Sequence, residues 1–125
     1  MRETKFRAWL KKQKIMRSNV SLHGGKIWTG YAWIPLDNNI ELMQYTGLKD
    51  KNGVEIFEGD IVKDEHKRLF VIEYKFGGFN IVPINCYNDE FSWNPLGDMQ
   101  TAGWLNESAE IIGNIYANKE LLENE

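Results

Sequence analysis

Apolar and polar residues alternate over short stretches of this chain, and glycine, asparagine, aspartate or proline interrupts them every few positions. That is the pattern of strands joined by turns. Phe6-Arg7-Ala8-Trp9-Leu10 and Ile15-Met16 flank the polar run Lys11-Lys12-Gln13-Lys14, which predicts a hairpin with its tip at the lysines. Val20-Ser21-Leu22 leads to a turn at His23-Gly24-Gly25, and the aromatic and β-branched run from Lys26 to Ile34 predicts a further strand closed by Pro35.

The stretch LMQYTGLKDKNGVEIFEGDIV, residues 42–62, reads as hairpin chemistry. Tyr45-Thr46-Gly47-Leu48 approaches a turn, Asp50-Lys51-Asn52-Gly53 supplies it, and Val54-Glu55-Ile56-Phe57 departs as a strand. Glu58-Gly59-Asp60 reverses the chain before Ile61-Val62-Lys63, and the Asp60 carboxylate is placed to accept local amide protons.

A clear strand pair follows, Leu69 to Phe76 and Phe79 to Ile84, with Gly77-Gly78 as a tight two-residue reversal. Ile72, Tyr74 and Phe76 fall on one face of the first strand and Val71, Glu73 and Lys75 on the other. Pro83 donates no ladder hydrogen bond, so the pairing is expected to end near it, at an edge or a bulge. Residues 85–109 show no period; they read as a long connection with one short helical turn near Leu105 to Ala109. Glu110 to Tyr116 predicts a last strand, and Asn118 a cap for a short helix, Lys119 to Leu122.

Length and composition fit one globular domain: 125 residues, 42% hydrophobic and 26% charged. The single cysteine, Cys86, forms no internal disulfide, and no apolar run is long enough for a signal peptide core or a membrane helix. The expected location is the cytoplasm. Net charge is −3 but uneven, with seven basic residues and one acid in residues 1–17 and one base and eight acids in residues 85–125. Such a dipole suits steering of a partner or head-to-tail contact between copies, or opposed solvated faces within one fold.

The chemistry-bearing residues form no recognisable catalytic set. His23 and His66 with one cysteine fall short of a structural zinc set, and Gly24-Gly25-Lys26 lacks the serine or threonine and the first glycine of a phosphate loop. Glu55, Glu58, Asp60, Asp64 and Glu65 gather in sequence, where a turn carboxylate and a charged loop explain them more simply than a cation site. No cofactor is expected. Trp93 and Trp104 stand in the unpatterned segment, where each either anchors a partner or covers the core.

Four segments in order, MRETKFRAW, LMQYTGLKDKNGVEIFEGDIVK, VIEYKFGGFNIVPI and IIGNIYANKELL, resemble the YopX family of phage and prophage proteins. The resemblance implies a small, mainly β protein encoded by phages or integrated elements of Gram-positive bacteria. It implies no reaction and no catalytic residues. The strand order from Gly59 onward suggests a small SH3-like barrel over about residues 55–117, preceded by an N-terminal β-hairpin layer in residues 1–54 and followed by a short C-terminal helix, all in a single domain of residues 1–125.

The expected function is a non-catalytic interaction or assembly module in the bacterial host cell, with further copies of itself or a phage or host protein as partner. Trp93 and Trp104 are its candidate contacts. The alternative is nucleic-acid binding through the basic N-terminal segment, with Arg7, Lys11, Lys12 and Lys14 on phosphates and Trp9 as a stacking surface. A third reading is an enzyme acting through the carboxylate loop around Asp60.

Overall fold

The computed structural model describes residues 5–30, 32–75, 78–84, 94–95 and 99–121. The chain divides into two compact units, Met1–Tyr45 and Thr46–Glu125. Both are built mainly from antiparallel strands.

In the first unit β1 (Phe6–Leu10) pairs with β2 (Ile15–His23) across the predicted lysine tip, where the Lys14 amide donates to the Leu10 carbonyl at 2.7 Å. One extra residue in β2 shifts the register between Arg17 and Val20, and Asn19 takes φ 55° there. Without this bulge Val20 would face away from Phe6; with it the two are partners, and Val20 is buried beside Ala8, Leu10, Ile27 and Ile40.

The Lys26–Ile34 run is two strands rather than one: β3 (Lys26–Trp28) and β4 (Trp33–Pro35) pair with each other. Gly24 and Gly25, both at positive φ, join β2 to β3 between the paired residues His23 and Lys26, the backbone of a two-residue primed turn. β5 (Ile40–Lys49) closes the unit by pairing its first residues with β1, so that strand order is β4-β3-β2-β1-β5.

β5 is longer than its sequence suggests, since Thr46-Gly47 continues it instead of ending it. Gly47 sits at φ 90°, and the Leu48 amide donates to Thr46 Oγ1 at 3.1 Å. The Thr46 hydroxyl in turn donates to the Ile56 carbonyl, tying the end of β5 to β6 (Glu55–Phe57).

The second unit holds a sheet of order β10-β9-β8-β7-β11. β7 (Asp60–Lys63), β8 (Leu69–Lys75), β9 (Gly78–Pro83) and β10 (Asn94–Pro95) follow as a meander, and β11 (Glu110–Asn114) returns beside β7. Among the described residues β10 and β11 are its open ends.

The β8–β9 register corrects one expectation. Lys75 is the partner of Gly78, so Gly78 belongs to β9 and the connection is residues 76–77, which lie outside the described set. The expected alternation along β8 also fails: Phe70, Val71 and Ile72 are all buried, whereas Tyr74 is 49% exposed with its ring edge-on to Phe79. Both faces of the first half of β8 are covered, so a period of two does not appear there.

The segment read as a connection contains α1 (Met99–Ser108), a ten-residue helix in place of one turn. It carries Leu105, fully buried, into the core of Ile56, Val62, Phe70, Ile72, Phe79 and Ile81. After β11 comes a 3₁₀ turn, Lys119–Leu121, where a helix to Leu122 was expected. Asn118 does not cap it with its side chain; Asn118 Oδ1 accepts the Asn114 amide at 3.1 Å, holding the chain against the end of β11.

Candidate functional site

Among the described residues of the second unit three carboxylates are buried, and each is occupied by backbone amides. Asp60 Oδ2 accepts the Phe57 amide at 2.8 Å across the Glu58-Gly59 reversal. Asp50 Oδ1 accepts the amides of Asn52 and Val54, both at 2.9 Å, and its Oδ2 accepts that of Ile111 at 3.0 Å. Asp64 repeats the arrangement: Oδ1 accepts the amides of His66 and Arg68, while Oδ2 takes the Arg68 guanidinium at 2.7 Å. A buried carboxylate needs such donors to offset its lost hydration. Of the acidic residues grouped in the sequence, Asp60 and Asp64 support turns in this way. Among the described residues no three His, Cys, Asp or Glu side chains converge as metal ligands.

The residues proposed for nucleic-acid contact differ in exposure. Trp9 is only 9% exposed, which removes its indole as a stacking platform. Arg7 is half-buried on the same strand. Lys11, Lys12 and Lys14 are exposed at the hairpin tip, where Lys11 Nζ pairs with Glu41 at 2.9 Å and the Lys12 amide donates to Asn39 Oδ1. An exposed pair of this kind adds little to stability. Trp104 covers the core, its ring edge-on to Phe70 at 5.2 Å and 87°. Trp93, the other proposed contact, and Cys86 lie outside the described residues.

A different aromatic set is exposed in the first unit. Register places Ser21, Trp28 and Trp33 in one row across β2, β3 and β4, and His23, Lys26 and Pro35 in the next row on the same face. The alternate positions Ile27 and Ile34 turn to the opposite face, where they pack in the core. Trp33 is 50% exposed; its ring lies 5.4 Å from that of Trp28 and 6.1 Å from that of His23. Three rings thus form one outward patch beside the exposed Lys26. The signal was present in KIWTGYAWIP, where Trp28 and Trp33 flank a strand break, but abundant aromatics in a small domain read first as core.

The two units also differ in charge. Residues 1–45 hold eight basic and three acidic residues, a net +5, and residues 46–125 hold seven and fifteen, a net −8. The aromatic patch stands on the basic unit.

No curated protein matches this chain. One similar solved structure is the crystal structure of protein EF1440 from Enterococcus faecalis, 30% identical, with a TM-score of 0.68 over 98% of this chain and 99% of that one. Residues 5–123 match the family model described as YopX protein. With nearly its whole length matched, and in the segments that define its turns and strands, the chain belongs to the YopX family.

Proposed function

We propose that this protein is a non-catalytic interaction module, encoded by a phage or an integrated element and working in the cytoplasm of the bacterial host, whose partner docks on the aromatic face of the first unit. Trp33 carries the reading. A large ring half exposed on an end strand, flanked by two further rings, is the kind of apolar surface that a partner covers. The commitment of Asp50, Asp60 and Asp64 to backbone amides supports a structural use of those carboxylates over acid–base chemistry. The meander of β7 to β10 with β11 returning beside β7 supports reading residues 55–117 as an SH3-like module that acts as scaffold.

Affinity capture from host cells, with and without nuclease, tests this, comparing the native chain with Trp33→Ala and adding light scattering of both. The native chain should retain a partner, or a second copy, that the variant loses. Identical retention and identical mass for the two would overturn the reading.

A further inference from the structure

We infer that the partner of the Trp33 face is single-stranded nucleic acid, an inference that rests on the docking role given to that face above. Three observations converge. Trp33, Trp28 and His23 offer ring faces and edges in one continuous outward patch, with ring centroids 5.4 and 6.1 Å apart. Unpaired bases stack on such rings whatever their sequence, whereas the bases of a duplex are already stacked on one another.

Lys26 stands on the same face, two residues along β3 from Trp28 and directly across from His23 and Pro35. Two residues of strand span about 6.7 Å, so its ammonium reaches the phosphate next to a base held on the rings. Finally, the patch belongs to the unit of net +5, in a chain whose total charge is −3. A polyanion is drawn to that unit and repelled by the other. An acidic protein would satisfy the charge but would leave the three-ring surface without its stacking partner.

The β2–β3 turn sets this geometry. Gly24 at φ 55° and Gly25 at φ 76° allow His23 and Lys26 to pair directly, which fixes the row of Trp28 and Trp33 one step further on. A one-residue slip would turn Trp28 and Trp33 inward and Ile27 and Ile34 outward.

Fluorescence anisotropy of a labelled 15-nucleotide oligothymidylate, read across a salt series with the full chain, tests the inference. The native chain should bind at low salt, and prefer the single strand to a duplex of equal length. Trp33→Ala should weaken binding about tenfold without changing the salt slope, and Trp33→Phe should restore most of it. Lys26→Ala should reduce the slope of log K against log salt by about 0.7. Trp33 is exposed, so circular dichroism of the variant should match the native chain. No anisotropy change at low salt overturns the inference, as does equal binding by Trp33→Ala, which would assign the effect to lysines at the hairpin tip. A nuclease-resistant protein partner or a second copy lost in Trp33→Ala, with no oligonucleotide bound, would overturn this inference while leaving the docking role intact.

Discussion

Asp50 and Ile111, 61 positions apart in the chain, are joined by a 3.0 Å hydrogen bond from the Ile111 amide to Asp50 Oδ2. The Lys51 amide adds a second tie between the same segments by donating to the Ala109 carbonyl at 2.9 Å. The turn that opens β6 and the start of the last strand are thus held by one buried carboxylate, whose other oxygen organises the turn itself. Removing it strands three amide donors. Asp50→Ala should cost about 1–3 kcal/mol, the range for one donor left unsatisfied, because Asn52 and Val54 are exposed and water can meet their amides, whereas Ile111 is half-buried; Asp50→Asn should fall between that variant and the native chain. Urea unfolding gives the magnitude. Hydrogen exchange gives the mechanism: the Ile111 amide should lose protection in Asp50→Ala far more than the ladder amides of β8.

Gly113 and Asn118 form the second such tie. A Cβ on Gly113 would lie 2.5 Å from Asn118 Oδ1 and 2.7 Å from its Cγ. Alanine there must therefore push the Asn118 side chain away from the Asn114 amide it accepts. Gly113→Ala should cost about 1 kcal/mol, the net worth of the part-buried hydrogen bond that the displaced side chain gives up. Asn118→Ala alone should cost less, and the double variant should be less destabilised than the two costs added together, because the first change already removes what the second disturbs. Full additivity in thermal unfolding would refute the steric account.

Trp104 and Phe70 make an edge-on ring contact over the second core, with Leu105 fully buried beside it. Leu105→Ala should cost about 2–5 kcal/mol as a buried leucine truncation. A double-mutant cycle of Trp104→Leu and Phe70→Leu should give a coupling of about 0.5–1.5 kcal/mol for the ring pair. A Trp104 variant of native stability would instead return this residue to the role of partner contact.

How far these relationships could be read in advance differs from turn to turn. The lysine tip was legible as a polar run between two apolar ones, and the Gly24-Gly25 turn, the Asp50–Gly53 turn and the end of β9 at Pro83 because each rests on local chemistry, a glycine at positive φ or a proline without an amide proton. The two-residue step of the β8–β9 pairing was ambiguous because either of two adjacent glycines can sit in the loop, and only cross-strand packing chooses. The helix α1 was hidden by its own weakness: no acidic residue in its first turn, no basic residue in its last, and Gly103 in its interior, a cost of about 1 kcal/mol that burial of Leu105 offsets. Trp33 was not singled out, for the converse reason. Period places a residue on a face of a strand, but whether that face is covered depends on elements far away in sequence.

Asp64 and Lys67 give the last prediction, because their turn has the same build as the one at Asp50 and Gly53. In both, the aspartate amide donates to the carbonyl four residues on, the amide three residues on donates back to the aspartate carbonyl, and Oδ1 accepts the amides two and four residues on. The third residue after the aspartate takes positive φ in each, 81° at Gly53 and 64° at Lys67. Glycine adopts that conformation freely; a lysine pays about 1 kcal/mol for it. Replacing lysine by glycine also loosens the unfolded chain, which returns part of that gain. Lys67→Gly should therefore stabilise the protein by about 0.5 kcal/mol, while Gly53→Lys should destabilise it by about 1 kcal/mol. Lys67→Asn, which tolerates the left-handed region better than lysine, should lie between the native chain and Lys67→Gly. Chemical unfolding of the three variants checks the order. A Lys67→Gly protein less stable than the native one would mean that the lysine side chain contributes more than its backbone conformation costs.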